Sequence, residues 1–322
     1  MTTPCDPSGD LVFAEDPTYF LAKSIFEDFK LTVEQIAMED DGLNIDILEQ
    51  RLESGVVPKL LYTIPTAHNP TGRTMPNWKR KKLVALAEKY QFVIVADEAY
   101  QLLTFTTTPA DDTEHLQNGD AAHHHQHHQQ QQQQQKDGGE MPTPMALVDP
   151  SSERVFGVNS FSKIFAPGVR LGWIHARYSQ LDRLYRCGQI FSGGGVSPVV
   201  CGAMHVAIRD GHLKALLDWT KSDLQMRATR MVQLLQKELP EGCHVEIPLG
   251  GYFILCHLPI GSDAARLEDL CQEKYKLDIL PGSSFSATMA HCFRLAFSFY
   301  QTEDYDRASS DLCTAIREFL NL

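Results

Sequence analysis

The spacing of apolar positions changes several times along the chain. Two short continuous apolar runs, 59–64 (KLLYTI) and 92–96 (FVIVA), have the length of strands buried on both faces, and between them 78–90 (WKRKKLVALAEKY) repeats its apolar residues at helical spacing. Such a β-α-β unit predicts a parallel sheet clad by helices. Residues 154–158 and 170–176 predict further strands, and 181–187 and 199–209 further helices. From 212 to 238 the pattern HLKALLDWTKSDLQMRATRMVQLLQKE runs without Pro or Gly, which predicts one extended helix. Beyond it, short strands at 245–247, 252–257, 277–280 and 293–299 alternate with helices near 264–276 and 303–320, an α+β arrangement. The expected organisation is a large α/β domain over 1–215 and a smaller domain over 216–322, with the boundary inside the long helix.

Composition narrows the function classes. With 43% hydrophobic and 22% charged residues in 322, a sizeable core is expected and wholesale disorder is not. The 29 basic against 41 acidic residues give a net charge of -12, the wrong sign for a partner that is a polyphosphate, so nucleic acid is not expected. No apolar run approaches the roughly 20 residues of a bilayer span, so no membrane is expected either. Eight cysteines are scattered without a C-x-x-C, which reads as reduced thiols with no metal-ligand spacing. The opening MTTPCDPSGD has neither a basic nor an apolar stretch, and a cytoplasmic protein without a targeting segment is expected. Residues 111–140 depart from the rest: HHHQHHQQQQQQQ between acidic and Gly-rich flanks reads as a disordered insertion in a tolerated loop. Five histidines without cysteine or carboxylate at fixed spacing do not make a metal site.

Chemistry concentrates in a few strings. In 159–173 (NSFSKIFAPGVRLGW) Lys163 sits among Ser160, Ser162 and Arg170. A lysine that attacks a carbonyl needs a lowered pKa, and hydroxyls with an arginine suit an anionic phosphate. The strings 65–72 (PTAHNPTG) and 96–100 (ADEAY) follow the strands at 59–64 and 92–96, placing Asn69, Asp97 and Tyr100 at carboxyl ends, where open α/β sheets bind ligands. A carboxylate such as Asp97 in an apolar setting calls for a cation. Arg294 in CFRLAFSF is a guanidinium in an apolar strand and calls for an anion. Taken singly, these residues also fit plainer roles: a lysine beside a Pro-Gly turn, an aspartate capping a helix, an asparagine forming a turn before Pro70, an arginine in a structural ion pair.

In combination and in order, HNPTG, DEAY, SFSK and PGVRLGW resemble the fold type I pyridoxal-phosphate enzymes, specifically the class I/II aminotransferases. The PGVRLGW form and EDPTYF (15–20) are most similar to the 2-aminoadipate and kynurenine aminotransferase-like group, and the resemblance runs from about residue 11 to the C-terminus. It implies a mostly parallel sheet sandwiched by helices plus a smaller α+β C-terminal domain, pyridoxal 5'-phosphate as cofactor, an amino acid and a 2-oxo acid as substrates, and a homodimer. It implies that Lys163 forms the Schiff base with the cofactor and moves the α-proton, and that Asp97 pairs with the pyridine nitrogen. Asn69 and Tyr100 would hold the phenolic oxygen, Ser160, Ser162 and Arg170 the phosphate end, and Tyr19 would stack on the ring. Arg294, with Asn69, would take the substrate carboxylate, and GGYF (250–253) would be a turn approaching the substrate. The same scaffold and residues would also serve a β-eliminating lyase or a decarboxylase, or a non-catalytic module like those of transcription regulators, although no basic helix-turn-helix segment precedes residue 11. An N-terminal arm and a Gly-Ser-Gln type loop that donates amides to the phosphate, within roughly the first hundred residues of the usual chain, are not expected here.

Overall fold

The computed structural model describes residues 9–105 and 141–322; the insertion read at 111–140 lies outside them. A seven-stranded sheet runs in the order β3-β2-β1-β4-β5-β6-β7, with β1 (Leu11–Asp16), β2 (Thr32–Glu39), β3 (Gly42–Leu43), β4 (Leu60–Thr63), β5 (Val93–Asp97), β6 (Val155–Ser160) and β7 (Gly172–His175). Strands β2, β1, β4, β5 and β6 are parallel. The short edge strands β3 and β7 pair antiparallel, so the strand expected at 170–176 closes the sheet in the reverse sense. Helices α1 (Phe20–Asp28), α2 (Ile45–Glu53) and α3 (Asn77–Tyr90) link the early strands. Alternate residues feed two faces: Phe13, Leu61 and Ile94 enter one apolar cluster, Val12, Leu60 and Tyr62 the other. That both faces are covered explains why β4 reads as an unbroken apolar run.

The second cluster joins the large sheet to the rest of the chain. It takes in Leu224 and Leu235 of the long helix His212–Glu238, whose bounds coincide with the pattern in the sequence, and Ile254 and Phe293 of a small antiparallel sheet. That sheet has the order β10-β11-β9-β8, from β8 (His244–Val245), β9 (Phe253–His257), β10 (Leu280–Pro281) and β11 (Cys292–Ala296). The strand expected at 277–280 is thus only two residues long. The helix expected at 264–276 stops at Leu270, and a π turn over Cys271–Tyr275 follows before Lys276 adopts a left-handed φ of 57°. Among the described residues no helix is long and apolar enough to cross a membrane.

Two buried charges fix the loop after β4. Glu15, in β1, accepts from Thr63 Oγ1 at 2.7 Å and from the Ile64 amide at 2.8 Å, and lies 3.3 Å from His68 Nε2. Arg80 of α3, fully buried, donates to the carbonyls of Pro65, Met75 and Thr143 and to Thr66 Oγ1. Burial lowers its pKa only to about 10, so it stays charged at neutral pH. Its charge also faces Glu98, whose pKa burial raises, and Glu98 approaches β6 so closely that a Cβ at Gly157 would lie 2.6 Å from its Oε2. Arg80→Met leaves these carboxylates buried without their cation. It is expected to cost about 3–5 kcal/mol, seen as a fall in Tm of roughly 10 °C; a loss within 1 kcal/mol in denaturant titration would show that the loop stands without it.

Candidate active site

The strand order turns outwards on both sides of the β1/β4 pair: from β1 the chain builds β2 and β3 to one side, then β4 to β7 to the other. The crevice outside the carboxyl ends at such a switch point is where open α/β sheets bind ligands. Tyr19 follows β1, Asn69 lies in the loop after β4, Asp97 ends β5 and Ser160 ends β6, so four residues singled out in the sequence converge there. Lys163 lies in the short helix α4 (Phe161–Ile164) that follows, with Ser160 as its N-cap. The Ser160 hydroxyl oxygen accepts from the Ser162 amide at 3.0 Å, which leaves its O–H to donate outwards.

Asp97 is held from two sides. Tyr62 Oη donates to its Oδ2 at 2.8 Å and the Ala99 amide to its Oδ1 at 3.3 Å, so it also makes the capping bond that a plain aspartate would make. Burial still raises its pKa, against these bonds and the charge of Lys163. Lys163 is shifted the other way: burial first, then the charge of Arg294, lowers its pKa, with Asp97 opposing. Its Nζ stands 5.6 Å from the centre of the Tyr252 ring, and Tyr252 Oη donates to the Lys163 carbonyl at 2.6 Å. Tyr19 and Tyr100 both have raised pKa values, from burial and then from Asp97. One acid, one amine and four phenols, all with pKa values shifted by burial, are therefore gathered at this end of the sheet.

Arg294 arrives from β11 of the small sheet. Its guanidinium lies over the Phe253 ring at 3.8 Å and donates through Nη1 to Asn69 Oδ1 at 2.8 Å. The Asn69 amide nitrogen is thereby turned away and free to donate elsewhere. Arg294 Nε is buried without a hydrogen bond, and burial lowers the side chain's pKa to about 10. A buried donor left unpaired is costly, and a carboxylate bound here would satisfy it. Gly251, at φ +73°, passes so close to the loop after β4 that a Cβ would sit 2.9 Å from Ala67 Cβ. This contact lets the GGYF turn deliver Tyr252 to Lys163.

Not every expected residue is drawn in. Arg170 is exposed, at a left-handed φ of 49°, with Nη1 on the Pro167 carbonyl at 3.2 Å. Ser162 borders a cleft of about 350 Å³ that Lys163 and Tyr252 also line, together with Trp219, Asp223, Arg227 and Phe299. Tyr62 was not singled out in the sequence, because a tyrosine in an apolar strand reads as core; its hydroxyl is what marks it.

Residues 2–312 match the family described as Aminotransferase class I and II. An aromatic-amino-acid aminotransferase of Thermococcus litoralis is 28% identical over 96% of this chain and 67% of its own length. Among solved structures, a multiple substrate aminotransferase from Thermococcus profundus superposes with a TM-score of 0.80 at 27% identity, covering 97% of this chain and 70% of that one. A kynurenine aminotransferase from Pyrococcus horikoshii, solved with pyridoxamine phosphate and kynurenine, gives 0.79 at 27% identity over 97% and 70%.

Proposed function

The chain belongs to the class I and II aminotransferases, with their fold type I architecture, and we propose that it moves an amino group from an amino acid to a 2-oxo acid with pyridoxal 5'-phosphate as resident cofactor. The observation that carries this reading is the pairing of an amine of lowered pKa, Lys163, with a buried carboxylate of raised pKa, Asp97, at the carboxyl ends of β5 and β6. The residues fit the cofactor: the hydrogen bonds to Asp97 come from the neutral donors Tyr62 and Ala99, which leaves it able to pair with a protonated ring nitrogen, and Arg294 has a buried donor to spare. When bound, the cofactor supplies an electron sink for the carbon that loses its proton.

The chain's own residues do the rest. Lys163 would hold the cofactor and, as a free amine, would take the α-proton and return it. Asn69, through its free amide nitrogen, and Tyr100, through its hydroxyl, hold the phenolic oxygen. The Ser160 hydroxyl, with Ser162 and Arg170, takes the phosphate, which requires Arg170 to leave the Pro167 carbonyl. Tyr19 covers the ring. Arg294 takes the substrate carboxylate and so sets the amino group beside Lys163. The rings of Tyr19, Tyr100 and Tyr252, and the names of the relatives, support an aromatic or 2-aminoadipate-like substrate. We place the boundary between large and small domains in the helix His212–Glu238, at about residue 215. The working unit on this reading is a homodimer, to be measured by light scattering. The seven described cysteines are unpaired thiols, which supports a reducing, cytoplasmic setting.

The test is product analysis. Given aromatic amino acids and a 2-oxo acid, the loaded protein is expected to form the matching oxo acid and the new amino acid in equal amounts. Ammonia and an oxo acid appearing without an acceptor would instead make it a lyase. Tyr62→Phe removes one bond to ionised Asp97; a fall of about 10-fold in kcat/KM is expected. Because that bond lowers the pKa of Asp97, the acid limb of the pH profile should move to higher pH.

A further inference from the structure

The small sheet carries a second cluster of chemistry-bearing side chains that amino transfer does not use. Register sets His244 of β8, His257 of β9 and Cys292 of β11 in one row across three strands, so their side chains share a face. The rings of His244 and His257 stack with centroids 4.1 Å apart. His257 Nδ1 lies 3.2 Å from Cys292 Sγ. His291, next to Cys292 in the chain, brings its ring to 6.0 Å from that of His257, centre to centre. One ligand atom each from His257, His291 and Cys292 fall within 4.8 Å of one another. On its other side, His257 Nε2 is 2.9 Å from Glu246 Oε1, and Arg73 donates to the same carboxylate at 2.9 and 3.3 Å.

A thiol, an imidazole and a carboxylate in line suit two chemistries. A nucleophile needs a thiolate within reach of a substrate, whereas Cys292 is 1% exposed and burial pushes its thiol up to about 12. A metal ion needs only a narrow path, and the His257 side chain is 15% exposed. Histidines that bind metals commonly donate their second ring N–H to a carboxylate, which fixes the tautomer. Glu246 is placed to accept that bond, leaving the Nδ1 lone pair directed at the sulfur.

We propose that His257, His291 and Cys292 form a three-ligand site for a borderline divalent cation, Zn²⁺, with water as the fourth ligand. With Zn–S near 2.3 Å and Zn–N near 2.0–2.1 Å, tetrahedral ligand atoms stand about 3.3–3.6 Å apart. The His257–Cys292 pair, at 3.2 Å, has to open by only about 0.3 Å, and His291 has to close by no more than about 1.5 Å. As the ion binds, the thiol gives its proton to solvent and the sulfur binds as thiolate, so the site strengthens as pH rises. Residues 292 and 294 lie on the same face of β11, so the ion would clamp β9 to β11 two residues from Arg294.

Co²⁺ alone, added to the full chain, tests this. The histidines at 123–128 can also take Co²⁺, but that tract holds no sulfur, so a thiolate-to-cobalt charge-transfer band reports on cysteine only. We expect the band to saturate at one equivalent, to disappear on adding Zn²⁺, and to be lost in Cys292→Ser. Glu246→Gln should weaken binding about 10- to 100-fold. Should Cys292→Ser not fold, His291→Ala carries the same test, because it keeps the sulfur and removes a ligand: at least 10-fold weaker binding is expected. A chain that gives no thiolate band at one equivalent, or a band that survives either substitution unchanged, overturns the site.

Discussion

Replacing Lys163 with alanine is expected to lower transamination by at least about 10³-fold while leaving the protein folded. Among the described residues of the crevice, the amine is the one group able both to bond covalently to a carbonyl and to carry a proton between two carbons. Its surroundings prepare it: burial and Arg294 lower its pKa, so more neutral amine is present at a given pH than on an exposed lysine. The neutral fraction rises with pH through that lowered pKa. Lys163→Arg keeps the charge but not the neutral amine and should be equally inactive, which separates chemistry from electrostatics. Stability should move the other way. A lysine whose folded pKa lies below its unfolded one binds its proton less well when folded, so its effect on stability becomes more favourable as pH rises. Below that range the charged amine is a burden on the fold, and Lys163→Ala should melt no lower than the parent protein. The amino-acid half-reaction, followed by cofactor absorbance, and a melting curve read the two effects; a variant within 10-fold of the parent rate would remove Lys163 from the chemistry.

The sequence disclosed the parts of this molecule whose causes are local. The β4-α3-β5 unit is legible because strands covered on both faces become unbroken apolar runs. The long helix is legible because nothing in 27 residues interrupts it. The first third was not: the apolar run of β1 is cut to Leu11–Ala14 by Glu15 and Asp16, and β2 (TVEQIAME) is polar and half-exposed. Glu15 is tolerated in the core only because Thr63, Ile64 and His68, 48 to 53 residues away in the chain, meet it there. The same division holds in the site. Lys163, Asp97 and Asn69 sit in short strings with recognisable chemistry, and Arg294 stands out as a lone charge in an apolar strand. Tyr62 looks like any core aromatic until its hydroxyl is seen on Asp97, and His257 and Cys292 become neighbours only through strand register.

Asp97→Ala should be the second most damaging change, because the carboxylate is already strained before any ligand arrives. Burial raises its pKa above the ordinary aspartate value even though Tyr62, Ala99 and Lys163 all pull it down. A folded pKa above the unfolded one means that the folded protein holds this proton more tightly. The associated stability is present at low pH and is lost as pH rises through the raised value, leaving a buried anion in search of a cation. A protonated ring nitrogen is such a cation, and pairing with it would bring the pKa of Asp97 back down. Cofactor should therefore stabilise the protein more above that pKa than below it, and Asp97→Asn should flatten the difference. Removing one partner of a buried charge pair costs about 2–5 kcal/mol, so the alanine variant should lose two to three orders of magnitude in kcat/KM and bind cofactor correspondingly more weakly. Melting curves with and without cofactor across pH 4 to 8, beside the half-reaction rate, decide it: a cofactor-induced shift in Tm equally large and equally pH-dependent in Asp97→Asn would mean that the carboxylate pairs with something else.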